Sequence, residues 1–69
     1  MIPPMHVTLN GEPAAIDATT VQALLEKLEL HGARCATMIN GRIVRRAERE
    51  STAIQPGDVI EVISMVGGG

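Results

Sequence analysis

The residues of this sequence that most clearly suggest a chemical role are the three glycines that end it, Gly67, Gly68 and Gly69. A tail without side chains can pass through a narrow channel, and glycine adopts backbone conformations that are closed to other residues. Such a tail can carry the carboxylate of Gly69 into the active site of another protein. A carboxylate is a poor acyl electrophile, so a partner would have to activate it. The alternative interpretations of terminal glycines are simple disorder and a cloning remnant.

The other candidate catalytic residues are too few for an enzyme site. Cys35 is the single cysteine, which excludes an internal disulfide and a four-cysteine metal site. It has no neighbouring histidine in the sequence, so we interpret it as a small buried side chain rather than a nucleophile. His6 and His31 are too far apart and too poorly supported to predict a metal site. Because no catalytic triad, phosphate-binding loop or paired carboxylates are evident, we expect neither enzyme activity nor a bound cofactor.

Length and composition also favour a carrier or binding module. The 69 residues suffice for one domain, which leaves little room for a deep substrate pocket. The chain lacks aromatic residues and has a net charge of −2, which argues against nucleic-acid binding. The lone thiol fits a reducing cytoplasm, and we see no signal peptide and no apolar run of membrane-spanning length.

Period-two hydrophobic patterns and turn dipeptides predict the strands. The predicted strands lie at 5–9, 14–17, 36–40, 42–44 and 59–63. The dipeptides Asn10-Gly11 and Asn40-Gly41 predict tight hairpin turns, and Pro56-Gly57-Asp58 predicts another turn. In the third strand we expect Met38 and Ala36 to point inward. The polar segment 45–52 is expected to be irregular, with one helical turn.

One amphipathic helix is predicted between the second and third strands. Thr19 is the expected N-cap, with Gln22 completing a capping box, and Thr20 is the competing cap. Gly32 is expected to end the helix, and Asp17 to favour its N-terminus electrostatically. The apolar stripe that should face the sheet consists of Val21, Leu24, Leu25 and Leu28.

The predicted order of elements is ββαβββ, which indicates an α+β domain with a mixed sheet of four to five strands and one main helix across one face. The last strand should lie in the centre, parallel to the first. This arrangement is the ubiquitin-like β-grasp. We expect the domain to occupy residues 1–66, with 1–4 frayed, and residues 67–69 to form a flexible tail.

The last predicted strand is apolar on both of its faces. Ile60 and Val62 share one face, and Val59 and Ile63 share the other. The simplest interpretation is a central strand, whereas the functional interpretation makes Val59 and Ile63 part of a partner-docking surface. Met65 and Val66 precede the glycines and are candidates for anchoring the tail at a partner's channel.

Five of the six basic residues cluster in the second half of the chain, and they are interleaved with glutamates. We interpret them as a solvated surface, and the alternative is a docking site for an acidic partner. The five are Arg34, Arg42, Arg45, Arg46 and Arg49.

Taken in order, these motifs resemble the ThiS family of thiamine-biosynthesis sulfur carriers. The resemblance rests on 38–46 (MINGRIVRR), 56–63 (PGDVIEVI) and the ending 66–69 (VGGG). The opening 7–12 (VTLNGE) and the helix over 21–28 also fit. The resemblance therefore covers nearly the whole chain from Met5 onward.

The resemblance implies a function and a set of partners. An activating enzyme similar to the ubiquitin-activating class would use ATP to adenylate Gly69, with Gly68 as the adjacent glycine and Gly67 extending the run. Sulfur from a persulfide donor, such as a cysteine desulfurase, would then displace AMP and leave a thiocarboxylate. Thiazole synthase would take that sulfur into the thiazole ring of thiamine. The carrier itself would bind neither nucleic acid nor membrane.

Three alternatives remain open at the level of the sequence. The chain could carry sulfur for molybdopterin or another pathway, although the small subunit of molybdopterin synthase is usually longer. It could be a ubiquitin-like modifier that forms isopeptide bonds. It could also be an interaction module of the same fold whose tail is inert.

Overall fold

The chain forms a five-stranded sheet with a helix across one face, as far as the described residues extend. The computed structural model describes residues 4–30 and 35–64. The elements are β1 (Met5–Leu9), β2 (Glu12–Ile16), α1 (Val21–Lys27), β3 (Cys35–Ile39), β4 (Arg42–Val44), a 3₁₀ turn (Arg46–Glu48) and β5 (Val59–Ser64). No helix within 4–30 or 35–64 is long and apolar enough to cross a bilayer.

The strand order is β2-β1-β5-β3-β4, with β5 at the centre. β5 runs parallel to β1 and antiparallel to β3, and the two outer pairs are antiparallel hairpins. This mixed sheet confirms the predicted β-grasp and the central position of the last strand. β2 begins at Glu12, earlier than predicted, because the two-residue turn pairs Leu9 directly with Glu12.

Both Asn-Gly turns have the left-handed backbone that the dipeptides predict. The φ angles are 52° at Asn10 and 83° at Gly11, and 52° at Asn40 and 81° at Gly41. Positive φ at both central residues defines the hairpin turn that matches the twist of the strands. The two turns therefore fix the registers of the β1–β2 and β3–β4 hairpins.

The same two asparagines also hold the central strand. The backbone N–H of Val62 donates to Asn10 Oδ1 at 2.8 Å, and the N–H of Val59 donates to Asn40 Oδ1 at 2.9 Å. In return, the N–H of Asn10 donates to the carbonyl of Ile60 at 2.9 Å. β1 pairs with β5 over only Thr8–Leu9. The Asn10 side chain thus extends the contact to Val62, beyond the last paired residue of β1.

Helix α1 begins one residue later than the preferred sequence prediction. Thr20 is the N-cap, and its Oγ1 accepts a hydrogen bond from the N–H of Ala23 at 3.1 Å. The choice of Thr19 was wrong, and the competing choice of Thr20 is confirmed. The reason is tertiary, because the Thr19 carbonyl accepts from the N–H of Ile54 and Thr20 bridges to Ala53.

The helix also ends earlier than predicted, at Lys27 instead of near Gly32. Glu29 takes a left-handed conformation with φ 61°, and its N–H donates to the carbonyl of Glu26. The N–H of Leu30 donates to the carbonyl of Leu25 at 2.8 Å. These two bonds form a Schellman motif, in which glutamate occupies the position that glycine usually takes. Gly32 itself lies outside the described residues.

The core lies between α1 and the inner face of the sheet. Val21, Leu24 and Leu25 are buried, as the apolar stripe predicts, while Leu28 at the helix end remains 39% exposed. The other buried apolar residues are Val7, Ala18, Ile39, Val44, Ile54, Ile60 and Val62. The hydrophobic side chains of α1 thus share one core cluster with residues of β5 and of its two neighbours, β1 and β3.

The predicted orientation of β3 was wrong by one residue. Thr37 and Ile39 are buried, whereas Met38 and Ala36 belong to the opposite face. Antiparallel pairing places Thr37 opposite Val62 and Ile39 opposite the fully buried Ile60. Because paired residues share a face, the orientation of β5 determines that of β3.

Asp17 does not serve the helix N-terminus as predicted. Its carboxylate lies 3.0 Å from Nζ of Lys27, at the other end of the helix, and both side chains are more than half exposed. The hydrogen bond from Lys27 is the main cause that lowers the pKa of Asp17 below its ordinary value. Such an exposed ion pair contributes little to stability.

The Asn10 contact can be isolated by comparing two substitutions. Asn10→Gly keeps positive φ accessible but leaves the Val62 N–H without its acceptor, so we expect a loss of about 1–3 kcal/mol of unfolding free energy. Asn10→Ala should lose roughly 1 kcal/mol more, because alanine disfavours a left-handed backbone. Urea unfolding of the two variants and the wild type measures both terms. An unfolding midpoint of Asn10→Gly equal to that of the wild type would contradict the assigned contact.

Candidate functional site

The strand β5 is the element from which the glycine tail leaves the domain. It ends at Ser64, and the candidate residues that follow lie outside the described residues: Met65, Val66, Gly67, Gly68 and Gly69. One edge of β5 pairs with β1 and contacts the Asn10 side chain. The other edge pairs with β3 from Ile60 through Ser64. The strand that precedes the tail is therefore paired on both of its edges.

The two faces of β5 differ sharply in exposure. Ile60 and Val62 point into the core and are 0% and 8% exposed. Val59 and Ile63 point to the other face and are 45% and 54% exposed. The two candidate docking residues thus lie on the sheet face opposite α1, on the strand that leads to the tail.

These residues belong to a larger apolar surface, which we call the outer patch: Met38, Ile43, Val59, Glu61 and Ile63. Met38 pairs with Glu61 on one side and with Ile43 on the other, so the five side chains share one face across three strands. Ile43 is 68% exposed, the largest exposure among the exposed large apolar residues. Apolar side chains grouped in this way on a surface indicate an interaction site.

Sequence reasoning missed Ile43 and assigned Met38 to the core. A signal was present, because the two-residue Asn40-Gly41 turn forces Met38 and Ile43 into the same cross-strand pair. That register shows that the two residues share a face. It does not show which face is covered by the helix.

Arg49 is a second departure from the sequence analysis. It was expected on a solvated surface with the other arginines, but it is only 4% exposed. Its Nη2 donates to the carbonyl of Cys35 at 2.9 Å and lies 3.4 Å from Cys35 Sγ, and its own carbonyl accepts from the N–H of Gln22 at 2.9 Å. Arg49 therefore ties the start of β3 to the first turn of α1. Burial of its guanidinium follows from this position between two elements.

The remaining basic and sulfur-bearing residues fall into two groups. Arg42, Arg45 and Arg46 are exposed, as expected for a solvated surface. Cys35 is half-buried and packs against the core from the start of β3. Arg34 and His31 lie outside the described residues. Within 4–30 and 35–64 there is no cluster of three or more metal-ligating side chains.

A surface pocket of about 360 Å³ lies at the end of the sheet where β5 begins. Its lining includes Asn40, Asp58 and Gln55. The Asp58 carboxylate accepts from Asn40 Nδ2 at 3.0 Å and from the N–H of Gln55 at 2.8 Å, so its oxygens already stabilise the turn. The tail leaves from the other end of β5. This pocket is therefore separate from the candidate site.

Comparison with known proteins places this arrangement among sulfur carriers. The model of the ThiS family matches residues 7–69, a range that includes the three glycines. The sulfur carrier protein ThiS of Thermus thermophilus is 30% identical over 63 residues, which cover 91% of this chain and 98% of the relative. The crystal structure of the thiamine biosynthesis protein ThiS of Geobacter metallireducens has 30% identity and a TM-score of 0.79, and it covers 94% of this chain and 100% of that one.

Two thiazole synthases also contain a stretch that is similar to this chain. The enzyme of Paramagnetospirillum magneticum is 33% identical, and that of Magnetococcus marinus is 36% identical, each over 66 residues. These residues are 94% of this chain but 20% of either enzyme. The chain thus spans about a fifth of the length of these two relatives.

The assignment of the two faces of the sheet predicts that the same substitution changes the unfolding free energy little on the outer face and lowers it strongly on the inner face. Ile43→Thr and Ile63→Thr should each change the unfolding free energy by no more than about 0.5 kcal/mol, because both side chains are exposed. Ile60→Thr should cost about 2 kcal/mol or more, because it buries a hydroxyl and removes packed atoms. Chemical denaturation compares the three variants. Equal destabilisation by Ile43→Thr and Ile60→Thr would show that the outer patch is not a free surface.

Proposed function

The chain belongs to the ThiS family of sulfur carriers of thiamine biosynthesis, and from that premise we propose that its sulfur is carried on the carboxyl group of Gly69. The observation that carries the proposal is the extent of the family match, which runs through Gly69 and therefore includes the glycine tail. Gly68 and Gly67 give that tail the slenderness that an enzyme channel requires.

The chemistry begins with activation of the poor acyl electrophile. A Gly69 carboxylate oxygen attacks the α-phosphorus of ATP on an activating enzyme of the ubiquitin-activating type, and pyrophosphate leaves. The resulting acyl adenylate has AMP as a good leaving group. The terminal sulfur of a donor persulfide attacks the carbonyl carbon and expels AMP. A thiol then attacks the donor's sulfur of the resulting acyl disulfide, so a disulfide forms between the thiol and the donor and the Gly69 thiocarboxylate is released. The carrier is the substrate of these steps, and ATP is bound by the activating enzyme.

Thiazole synthase is the proposed acceptor of the sulfur. Two thiazole synthases have a segment similar to this chain within their own polypeptides, which supports a direct relation between carrier and synthase. A cysteine desulfurase is the proposed source of the persulfide. We place these reactions in the cytoplasm, where thiols are kept reduced.

In this proposal the folded body docks on the partner, and the tail carries Gly69 into the partner's active site. β5 is paired with β1 at its start and with β3 as far as Ser64, so the last described residue before the tail belongs to the sheet of the body. Val59 and Ile63 of the outer patch are the proposed docking residues on the body. Met65 and Val66 are proposed to hold the tail at the mouth of the partner's channel.

The proposal predicts a specific change of mass. Incubation with ATP and a sulfur source in an extract of the native organism should raise the intact mass by the difference between one sulfur and one oxygen atom. Deletion of Gly69 should abolish the gain, because the glycine that the activating enzyme adenylates is missing. Intact-protein mass spectrometry measures both samples, with extract omitted as the control.

Three other outcomes would favour the alternatives. Conjugates of the chain with lysines of other proteins would indicate a ubiquitin-like modifier rather than a sulfur carrier. No change in mass, in an extract that converts a known carrier, would contradict the proposal and favour an interaction module with an inert tail. Sulfur transfer to molybdopterin instead of thiazole would move the carrier to the other pathway.

A further inference from the structure

Glu61 lies at the centre of the outer patch and is its only ionisable side chain. It follows the exposed Val59 and precedes the exposed Ile63 on the same face of β5, and it pairs directly with Met38 of β3. Among residues 4–30 and 35–64, no side chain makes an ion pair or hydrogen bond with its carboxylate. Among the described residues its carboxylate is thus unpaired, and its neighbours on this face include the apolar Val59, Ile63 and Met38.

The length of the tail requires a partner to approach this end of the sheet. Ser64 precedes Gly69 by five residues, and five extended residues span at most about 17 Å. An enzyme that holds Gly69 in its active site must therefore lie close to Ser64. The exposed Ile63 is adjacent to Ser64, so one side of the outer patch lies beside the point where the tail begins.

Covering the outer patch would remove Glu61 from water. Burial of a carboxylate is unfavourable unless a cation and hydrogen-bond donors compensate it. A purely apolar partner surface would thus be rejected, whereas one with a suitably placed arginine or lysine would be accepted. A second copy of this chain, docked face to face, would bring two uncompensated carboxylates together, which disfavours self-association through this face.

We propose that Glu61 determines which partner docks on the outer patch, by pairing with a cationic side chain set in an apolar surface of the enzyme that activates Gly69. The inference rests on the proposed function and adds the chemistry of the partner's surface to it. Discrimination arises because the wrong partner leaves a carboxylate buried and unpaired, which costs more than the right pair gains.

The test compares two variants that lose the same charge at different places. Glu61→Gln removes the proposed ion pair, and Glu50→Gln removes one charge from an exposed turn away from the patch. The net charge changes equally in both variants, so a difference between them reports the position of the charge. ATP–pyrophosphate exchange by the activating enzyme of the native organism, at varied carrier concentration, gives kcat and KM for each.

We expect Glu61→Gln to raise KM on the order of tenfold, with kcat unchanged because Gly69 is intact. Glu61→Arg should raise KM further, because two cations would then face each other, and Glu50→Gln should match the wild type. Added salt should raise KM of the wild type more than KM of Glu61→Gln. Urea unfolding verifies that each variant remains folded.

Three results would overturn the inference. Equal KM values for Glu61→Gln and the wild type would show that the enzyme does not read this charge. Equal effects of Glu61→Gln and Glu50→Gln would show that only net charge matters. Self-association of Glu61→Gln without a change in KM would show that Glu61 only keeps copies of the chain apart. If the wild type itself supports no exchange, the proposed function fails, and the inference fails with it.

Discussion

The structure depends on the position of β5 in the middle of the sheet. Every other described strand reaches the core by pairing with β5 or with one of its two neighbours. The asparagines of both hairpin turns add side-chain acceptors for N–H groups of β5, at Val59 and Val62. The N–H of Val62 is partly buried and would be costly to leave unpaired. The two contacts together fix where the central strand lies relative to both hairpins.

The central strand contributes side chains both to the core and to the exposed face of the sheet. Its inner residues, Ile60 and Val62, join the core under α1, while its outer residues stay exposed. A strand can do both because successive side chains point to opposite faces. This double use of one strand suits a small domain, which has few residues with which to form both a core and a surface for partners. The helix covers one face, and the other face carries the outer patch that we propose as the docking surface.

The segment between β4 and β5 has a structural role that its polar composition conceals. Thr52 and Arg49 accept hydrogen bonds from the N–H groups of Val21 and Gln22, in the first turn of α1. These are groups that a helix cannot satisfy internally. The Arg49 guanidinium then reaches the carbonyl of Cys35. The loop thereby fixes the helix start against the sheet, and Arg49 is buried as a consequence.

The sequence by itself determined the elements that local rules specify. Asn-Gly dipeptides indicated two hairpins, period-two alternation indicated β1, a run of strongly β-prone residues indicated β5, and the stripe beginning at Val21 indicated α1. The ordered motifs indicated the family, and with it the glycine tail. The predicted turns, strands and helix follow from backbone preferences and side-chain periodicity within a few residues, whereas the family was indicated by resemblance.

Only the tertiary structure decided the features that depend on a distant partner. The bridge to Ala53 selected Thr20 rather than Thr19 as the N-cap of α1. Pairing with Glu61 turned Met38 to the outer face. Contacts with β3 and α1 buried Arg49 between them. The tertiary structure also assembled the outer patch from three strands. The physical reason is the same in each case: cross-strand register and burial are set by residues far apart in the chain, and periodicity within one strand leaves the choice of face open.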